Sequence, residues 1–326
     1  VARLRIVLGI ALLLVSSAIV GASVYRYSQH SGDNDGVSAH AAVTPFAAVT
    51  PSPPPTPTAT PTPPALSAFA AVVVDVTAHR TIFALNPNQP LAPASTTKII
   101  TALLTTRLAH SEDIVSVDPA DVVNPAEDSA MGLQPGDTVT VHDLLVGLLL
   151  PSGNDAARVL AHHIGSQLTQ PADRAPEQRF VVAMNQLAKE LGMQNTTFTT
   201  PDGDDEPGQH TTAADLAKAA EAFLADPVLP RIAAMPQATV RIGGPHQRTL
   251  QLTNTNQLLG QDGVFGLKTG TTPAAGECLV FAWQTSDHTY LGVVLHSADR
   301  YADARALMQW VARLAEQQST IKGGSA

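Results

Sequence analysis

Three short runs of residues carry side chains that could do chemistry. Ser95-Thr-Thr-Lys98 follows Pro93-Ala94 at the start of a predicted helix. At i and i+3 the serine and lysine share one helical face. A serine hydroxyl is a weak nucleophile until a base stands beside it. A lysine amine can be that base when burial and neighbouring positive charge lower its pKa. A helix N-terminus adds unpaired N–H groups for a developing oxyanion. Alone, the tetrad reads as an N-capping serine with a chance lysine. The second run is Pro151-Ser152-Gly153-Asn154, after an apolar helix and before another opened by Asp155. Ser152 can relay a proton and Asn154 can bind an amide; the bland alternative is a turn in which both are caps. The third is Leu267-Lys268-Thr269-Gly270-Thr271 on a predicted strand. Lys268 and Gly270 then share a face, and the glycine lets the strand pass close to another element. Lys268 adds positive charge near Lys98, or merely protects a sheet edge.

The elements that must position these runs follow from the pattern. Phe69–Thr77 and Thr81–Leu85 read as a hairpin. Helices are expected at Ser95–His110, at Val141–Leu150 (opened by the capping box Thr140–Asp143), and at Asp155–Ile164, Arg179–Leu191 and Ala213–Leu224. Val264–Thr271, Leu279–Thr285 and Thr289–Ser297 read as three antiparallel strands, and Ala302–Ala315 as a last helix. Strands at both ends with helices between them predict one α/β (α+β) domain whose sheet brackets a helical insertion.

That domain, expected at 68–318, is preceded by two unlike segments. Ile6–Val24 is 19 uncharged residues, which as a helix span roughly 28 Å, close to the hydrocarbon thickness. With Arg3 and Arg5 before it, residues 1–24 read as an anchor with the N-terminus inside, or as a cleavable signal segment. Residues 25–67 read as a disordered spacer, with nine prolines and five threonines between Pro45 and Pro64. Residues 319–326 read as a flexible tail. The formal charge is −9 with no Lys/Arg block, which excludes phosphate-led nucleic-acid binding. The single cysteine, Cys278, excludes an internal disulfide and reads as a packing residue. Asp202-Gly-Asp-Asp-Glu206 lacks the spacing of a calcium loop and reads as solvated. His162 and His163 point about 100° apart on a helix and cannot easily share one ion, and no metal-ligand spacing occurs elsewhere.

In this order, S-x-x-K, S-G-N and K-T-G resemble the motifs of the penicillin-binding proteins and serine β-lactamases. Pro93–Lys98, Leu148–Ala157, Gly208–Ala213 and Gly266–Gly270 narrow the resemblance to the serine D-alanyl-D-alanine carboxypeptidases, over about 68–310. It implies a β-lactamase/transpeptidase-like fold: a five-stranded antiparallel sheet flanked by helices, plus a mostly helical lobe. It implies removal of the terminal D-alanine from peptidoglycan stem peptides, inhibition by β-lactams, no cofactor and no metal, on the extracytoplasmic side of a bacterial membrane. Ser95 would be the nucleophile, Lys98 the base and Ser152 a relay. Asn154, Lys268, Thr269, Gly270, Thr271 and Arg300 would bind substrate, although Arg300 also reads as a solvated arginine before the last helix. Asn254-Thr255-Asn256 stands where the family often has Asn-Arg-Asn, and Phe265 where an aspartate is common. A class A β-lactamase would carry a loop glutamate in an E-x-x-x-N pattern between Asn154 and Lys268, and none is present. A non-catalytic wall-binding protein would have no need of the lysine.

Overall fold

The computed structural model describes residues 60–323. The expected anchor or signal segment and residues 25–59 of the expected spacer lie outside them. Among the described residues no helix is long and apolar enough to cross a membrane.

Strands β1 (Ala70–Asp75) and β2 (Arg80–Leu85) form the expected hairpin, with Ala71 opposite Leu85. A tight 3-10 turn, Ala94–Thr97, leads into helix α1 (Lys98–Leu108). Strands β3 (Ile114–Ser116) and β4 (Thr138–Thr140) make a short ribbon. Helices α2 (Val141–Leu149), α3 (Asn154–Gln167), α4 (Pro176–Glu190), α5 (Ala213–Ala225) and α6 (Leu229–Ala233) follow. A second ribbon, β5 (Gln237–Ile242) with β6 (Arg248–Thr253), precedes the strands β7 (Val264–Thr272), β8 (Gly276–Gln284) and β9 (Thr289–Ser297). Helix α7 is Arg300–Gly323.

The main sheet is antiparallel and runs β2-β1-β9-β8-β7. The N-terminal hairpin thus pairs with the last strand, and all the helices from α1 to α6 are inserted between them. Both faces of the sheet are covered, so its inner strands read as continuous apolar runs. In β8, Cys278, Val280 and Ala282 face a core shared with α1, α2, α3 and α5. Leu279, Phe281 and Trp283 face a smaller core under Leu307, Trp310 and Val311 of α7. Cys278 is therefore a packing residue, and burial raises its thiol to about 11. Thr140 caps α2 as expected, its hydroxyl accepting from the Asp143 N–H at 3.1 Å.

Three expectations change. The two ribbons and helix α6 have no counterpart in the expected elements, although Gln237–Ile242 alternates in burial as a strand should. The catalytic-domain boundary at 68 is too late. Ser67 donates from N and Oγ to Asp303, at 2.9 and 2.8 Å, and Trp310 Nε1 donates to the Pro61 carbonyl at 3.0 Å. The end of the Pro/Thr-rich stretch is thereby fastened to α7. The last helix also runs past Ala315 and past the expected tail boundary at 319, since nothing before Gly323 interrupts it.

Phe281 is fully buried, stacks on Trp283 at 5.3 Å and fills the place a side chain on Gly292 would take. Phe281→Ala is expected to destabilise the fold by about 3–5 kcal/mol in urea denaturation, as large buried truncations do.

Candidate active site

Each of the three runs arrives by a different element. Ser95 sits in the turn before α1, Ser152 and Asn154 at the start of α3, and Lys268 to Thr271 on the edge strand β7. The backbone is strained where the first two meet the cleft. Ala94, just before Ser95, has φ +48°, and Ser152 has φ +67°. Left-handed non-glycine residues cost of order 1–3 kcal/mol each and persist only where the surroundings hold them. Here the holding is tight. A Cβ on Gly203 would lie 2.0 Å from the Ala94 carbonyl oxygen, and one on Gly270 2.9 Å from Ser95 N. Strand β7 and the 202–205 loop therefore close on the Ser95 turn from two sides, and β7 uses its glycine as the sequence predicts.

Lys98 is the centre of the arrangement. Its Nζ lies 2.8 Å from Ser95 Oγ, 2.7 Å from Asn154 Oδ1 and 2.6 Å from the Asp202 carbonyl oxygen. Ser95 is not a side-chain cap, nor are Ser152 and Asn154. Lys98 is fully buried, and burial lowers its pKa to about 8, with Asp202, Asp204 and Asp155 pulling upward and Arg158 downward. Burial is the largest cause, and Arg158 adds the expected neighbouring positive charge. A neutral amine has two N–H donors and one lone pair. Asn154 and Asp202 supply the two acceptors, which leaves the lone pair facing the Ser95 hydroxyl.

Asn154 is held by both ends of its amide, since Nδ2 donates to Asp128 Oδ1 and Asp204 Oδ1, each at 3.2 Å. Asp202 is buried, and Arg158 Nε donates to it at 2.9 Å. Burial opposes its ionisation, but Lys98 and Arg158 prevail and hold its carboxyl below the usual range. The solvated-loop reading of 202–206 holds for the exposed Asp205 and Glu206 but fails for Asp202 to Asp204, which close the floor of the site. No cluster that could hold a metal ion occurs among the described residues.

Ser152 is buried, and its Oγ is one of two buried side-chain polar atoms without a partner among the described residues. It lines an open cleft of about 280 Å³ together with Ser95, Thr269, Gly270, Thr271 and Arg300. Lys268 is 1% exposed, which rules out a protective edge lysine. Its Nζ donates to the Thr269 carbonyl at 2.9 Å, and burial, then Lys98 and Arg300, push its pKa well down. Arg300 is buried, not solvated. It donates to Glu277 (3.1 Å), to the Gly270 and Cys278 carbonyls (2.8 and 3.0 Å) and to Thr271 Oγ1. Thr255, where the family often has arginine, bonds hydroxyl to hydroxyl with Thr269 at 2.7 Å.

All nine expected site residues are brought together. Those missed are Asp128, Arg158, Asp202 and Asp204. Arg158 had a signal, being four residues beyond Asn154 and so on its face of α3. Asp202 and Asp204 stand out only as part of an acidic run, and Asp128 has no signal.

A profile of the D-alanyl-D-alanine carboxypeptidase family matches residues 57–299. The chain is 34% identical to the D-alanyl-D-alanine carboxypeptidase DacC of Escherichia coli, over 79% of this chain and 64% of that one. To DacB2 of Mycobacterium tuberculosis it is 34% identical, over 76% of this chain and 83% of that one. The fold matches the crystal structure of the Streptomyces K15 DD-transpeptidase with a TM-score of 0.71 and 32% identity, covering 76% of this chain and 98% of that one. The chain spans 57–64% of the length of the first relatives it matches, those of E. coli, Bacillus subtilis and Salmonella typhimurium.

Asp155 accepts from the N–H groups of Met131, Gly132 and Leu133, at 2.9, 2.9 and 3.0 Å. Asp155→Ala leaves these donors without their acceptor in a largely buried setting. A loss of at least about 3 kcal/mol in urea denaturation is expected.

Proposed function

Because the chain belongs to the D-alanyl-D-alanine carboxypeptidase family, we propose that it removes the terminal D-alanine of peptidoglycan stem peptides through an acyl-serine. The observation that carries this is the buried Lys98 amine, placed between Ser95 Oγ and two fixed acceptors. Ser95 Oγ attacks the carbonyl carbon between the two D-alanines and its proton passes to Lys98. The N–H groups of Ser95 and Thr271 hold the oxyanion. The C–N bond then breaks, and the leaving amine takes a proton through Ser152, whose hydroxyl awaits a partner at the cleft wall. Water cleaves the ester and returns Ser95.

The terminal carboxylate is received by Thr269, Thr271 and Arg300 along the cleft. Lys268 lies buried beneath with a pKa well below the ordinary value. An arriving anion favours its protonated form, so the charge is supplied when the substrate is bound. Asn154 orients the acyl side while keeping its carbonyl on Lys98. Thr255, bonded to Thr269, gives the cleft wall a hydroxyl, and Phe265 packs against the main core. β-Lactams acylate Ser95 in the same way and act as inhibitors. No cofactor takes part. The catalytic unit works on the extracytoplasmic side, tethered by the apolar segment at 6–24 or released if that segment is cleaved.

The test is D-alanine release from a diacetyl-lysyl-D-alanyl-D-alanine peptide, with intact mass after benzylpenicillin. Expected are D-alanine release and a persistent one-to-one adduct, both lost in Ser95→Ala. Rapid penicillin loss without an adduct would instead mark a β-lactamase, and no reaction with either compound would leave a binding protein. Gly270→Ala forces a methyl group to 2.9 Å from Ser95 N. Its adduct formation is expected to slow by at least about 100-fold, the scale of an ångström's misplacement.

A further inference from the structure

The base lysine is surrounded by more acid than its own charge could balance. Asp202 and Asp204 come from the loop before α5, Asp155 from α3, and Asp128 from the loop before β4, reaching Lys98 through Asn154. Asp155 is occupied by the N–H groups of 131–133. Lys268 on β7 is itself pushed toward the neutral amine by burial and by Lys98, so it does not balance this acid. With no further cation, Lys98 would be the counter-ion of Asp202 and Asp204 and would keep its third proton. A protonated lysine has no lone pair for the serine.

Arg158 is the further cation. Its Nε donates to Asp202 Oδ2 at 2.9 Å and one Nη to Asp204 Oδ2 at 3.0 Å. The carboxylates it holds are the ones that matter. Asp202 offers its carbonyl to Lys98, and Asp204 accepts from the Asn154 amide whose oxygen faces Lys98. One guanidinium therefore fixes both acceptors of the Lys98 amine, from α3, one helical turn beyond Asn154. Arg158 also feels the charges of Asp128, Asp121 and Glu177.

We propose that Arg158 is a positioning residue: by clamping Asp202 and Asp204 it keeps Lys98 free to take the Ser95 proton and sets the pH range of acylation. This rests on the reading of Ser95 and Lys98 as nucleophile and base.

The test follows Lys98 directly. In the full chain carrying ¹³C-labelled lysine, the Lys98 signal is identified by its loss in Lys98→Arg and titrated. The wild-type midpoint is expected near 8. In Arg158→Gln it should rise by about one pH unit, and Ser95 acylation by benzylpenicillin at pH 7 should fall about tenfold yet approach the wild-type rate at pH 10. Asp204→Asn should move the midpoint the opposite way, and Arg158→Lys should restore most of the wild-type value. A loss from structural damage alone would slow acylation equally at every pH and would not reverse sign between variants. An unchanged midpoint in Arg158→Gln and Asp204→Asn, or a uniform rate loss from pH 6 to 10, overturns the proposal. Should the wild type fail to react with benzylpenicillin, the acyl-serine reading falls, while the Lys98 titration still decides the clamp.

Discussion

A lysine amine with no water around it must find its partners in the protein, and around Lys98 much of the site is arranged to provide them. Its three neighbours are Ser95 Oγ, Asn154 Oδ1 and the Asp202 carbonyl. Each comes from a different segment, so burying this one group fixes the turn before α1, the start of α3 and the 202–205 loop together. Burial without the acceptors would cost several kcal/mol of lost hydrogen bonding. The acceptors without burial would leave an ordinary surface ammonium. The strained Ala94 and the close approaches of Gly203 and Gly270 are what bringing these segments to one point requires.

The sheet supplies what the lysine cannot, a wall packed on both faces. Strand β7 is an edge, yet that edge is covered by the Ser95 turn, so Thr269 and Thr271 face a cleft and Lys268 is buried beneath it. Behind it β8 and β9 are packed on both faces. Arg300 ties the first turn of α7 to the Gly270 and Cys278 carbonyls, which couples the outer helix to the substrate side of β7. On the helical side Asp155 performs the same service for the 131–133 loop. The reacting groups sit between two supports whose own hydrogen bonds are internal.

How much of this could be read from the sequence depended on distance along the chain. Ser95 and Lys98 are a helical turn apart, and Lys268 and Gly270 share a strand face, so local periodicity was enough. The continuous apolar runs of β1, β8 and β9 likewise announce a sheet buried on both sides. The ribbon at 237–253 escaped because its residues are mostly polar and only its alternation marks it. The burial of Asp202 to Asp204 is hidden for a deeper reason. A run of acidic residues looks solvated unless its counter-charges are known, and Arg158 and Lys98 lie far from it in sequence. The helix start after Ser95 and the docking of residues 61–67 on α7 are also tertiary outcomes with little local signature.

The central claim is that Lys98, as a neutral amine, shares the proton of Ser95. Neutron diffraction from deuterated crystals at pH 9, one unit above the value of about 8, locates that proton directly. The account predicts two deuterons on Lys98 Nζ, directed at Asn154 Oδ1 and the Asp202 carbonyl, and the Ser95 deuteron directed at Nζ. Three deuterons on Nζ, with the Ser95 hydroxyl turned elsewhere, would contradict it.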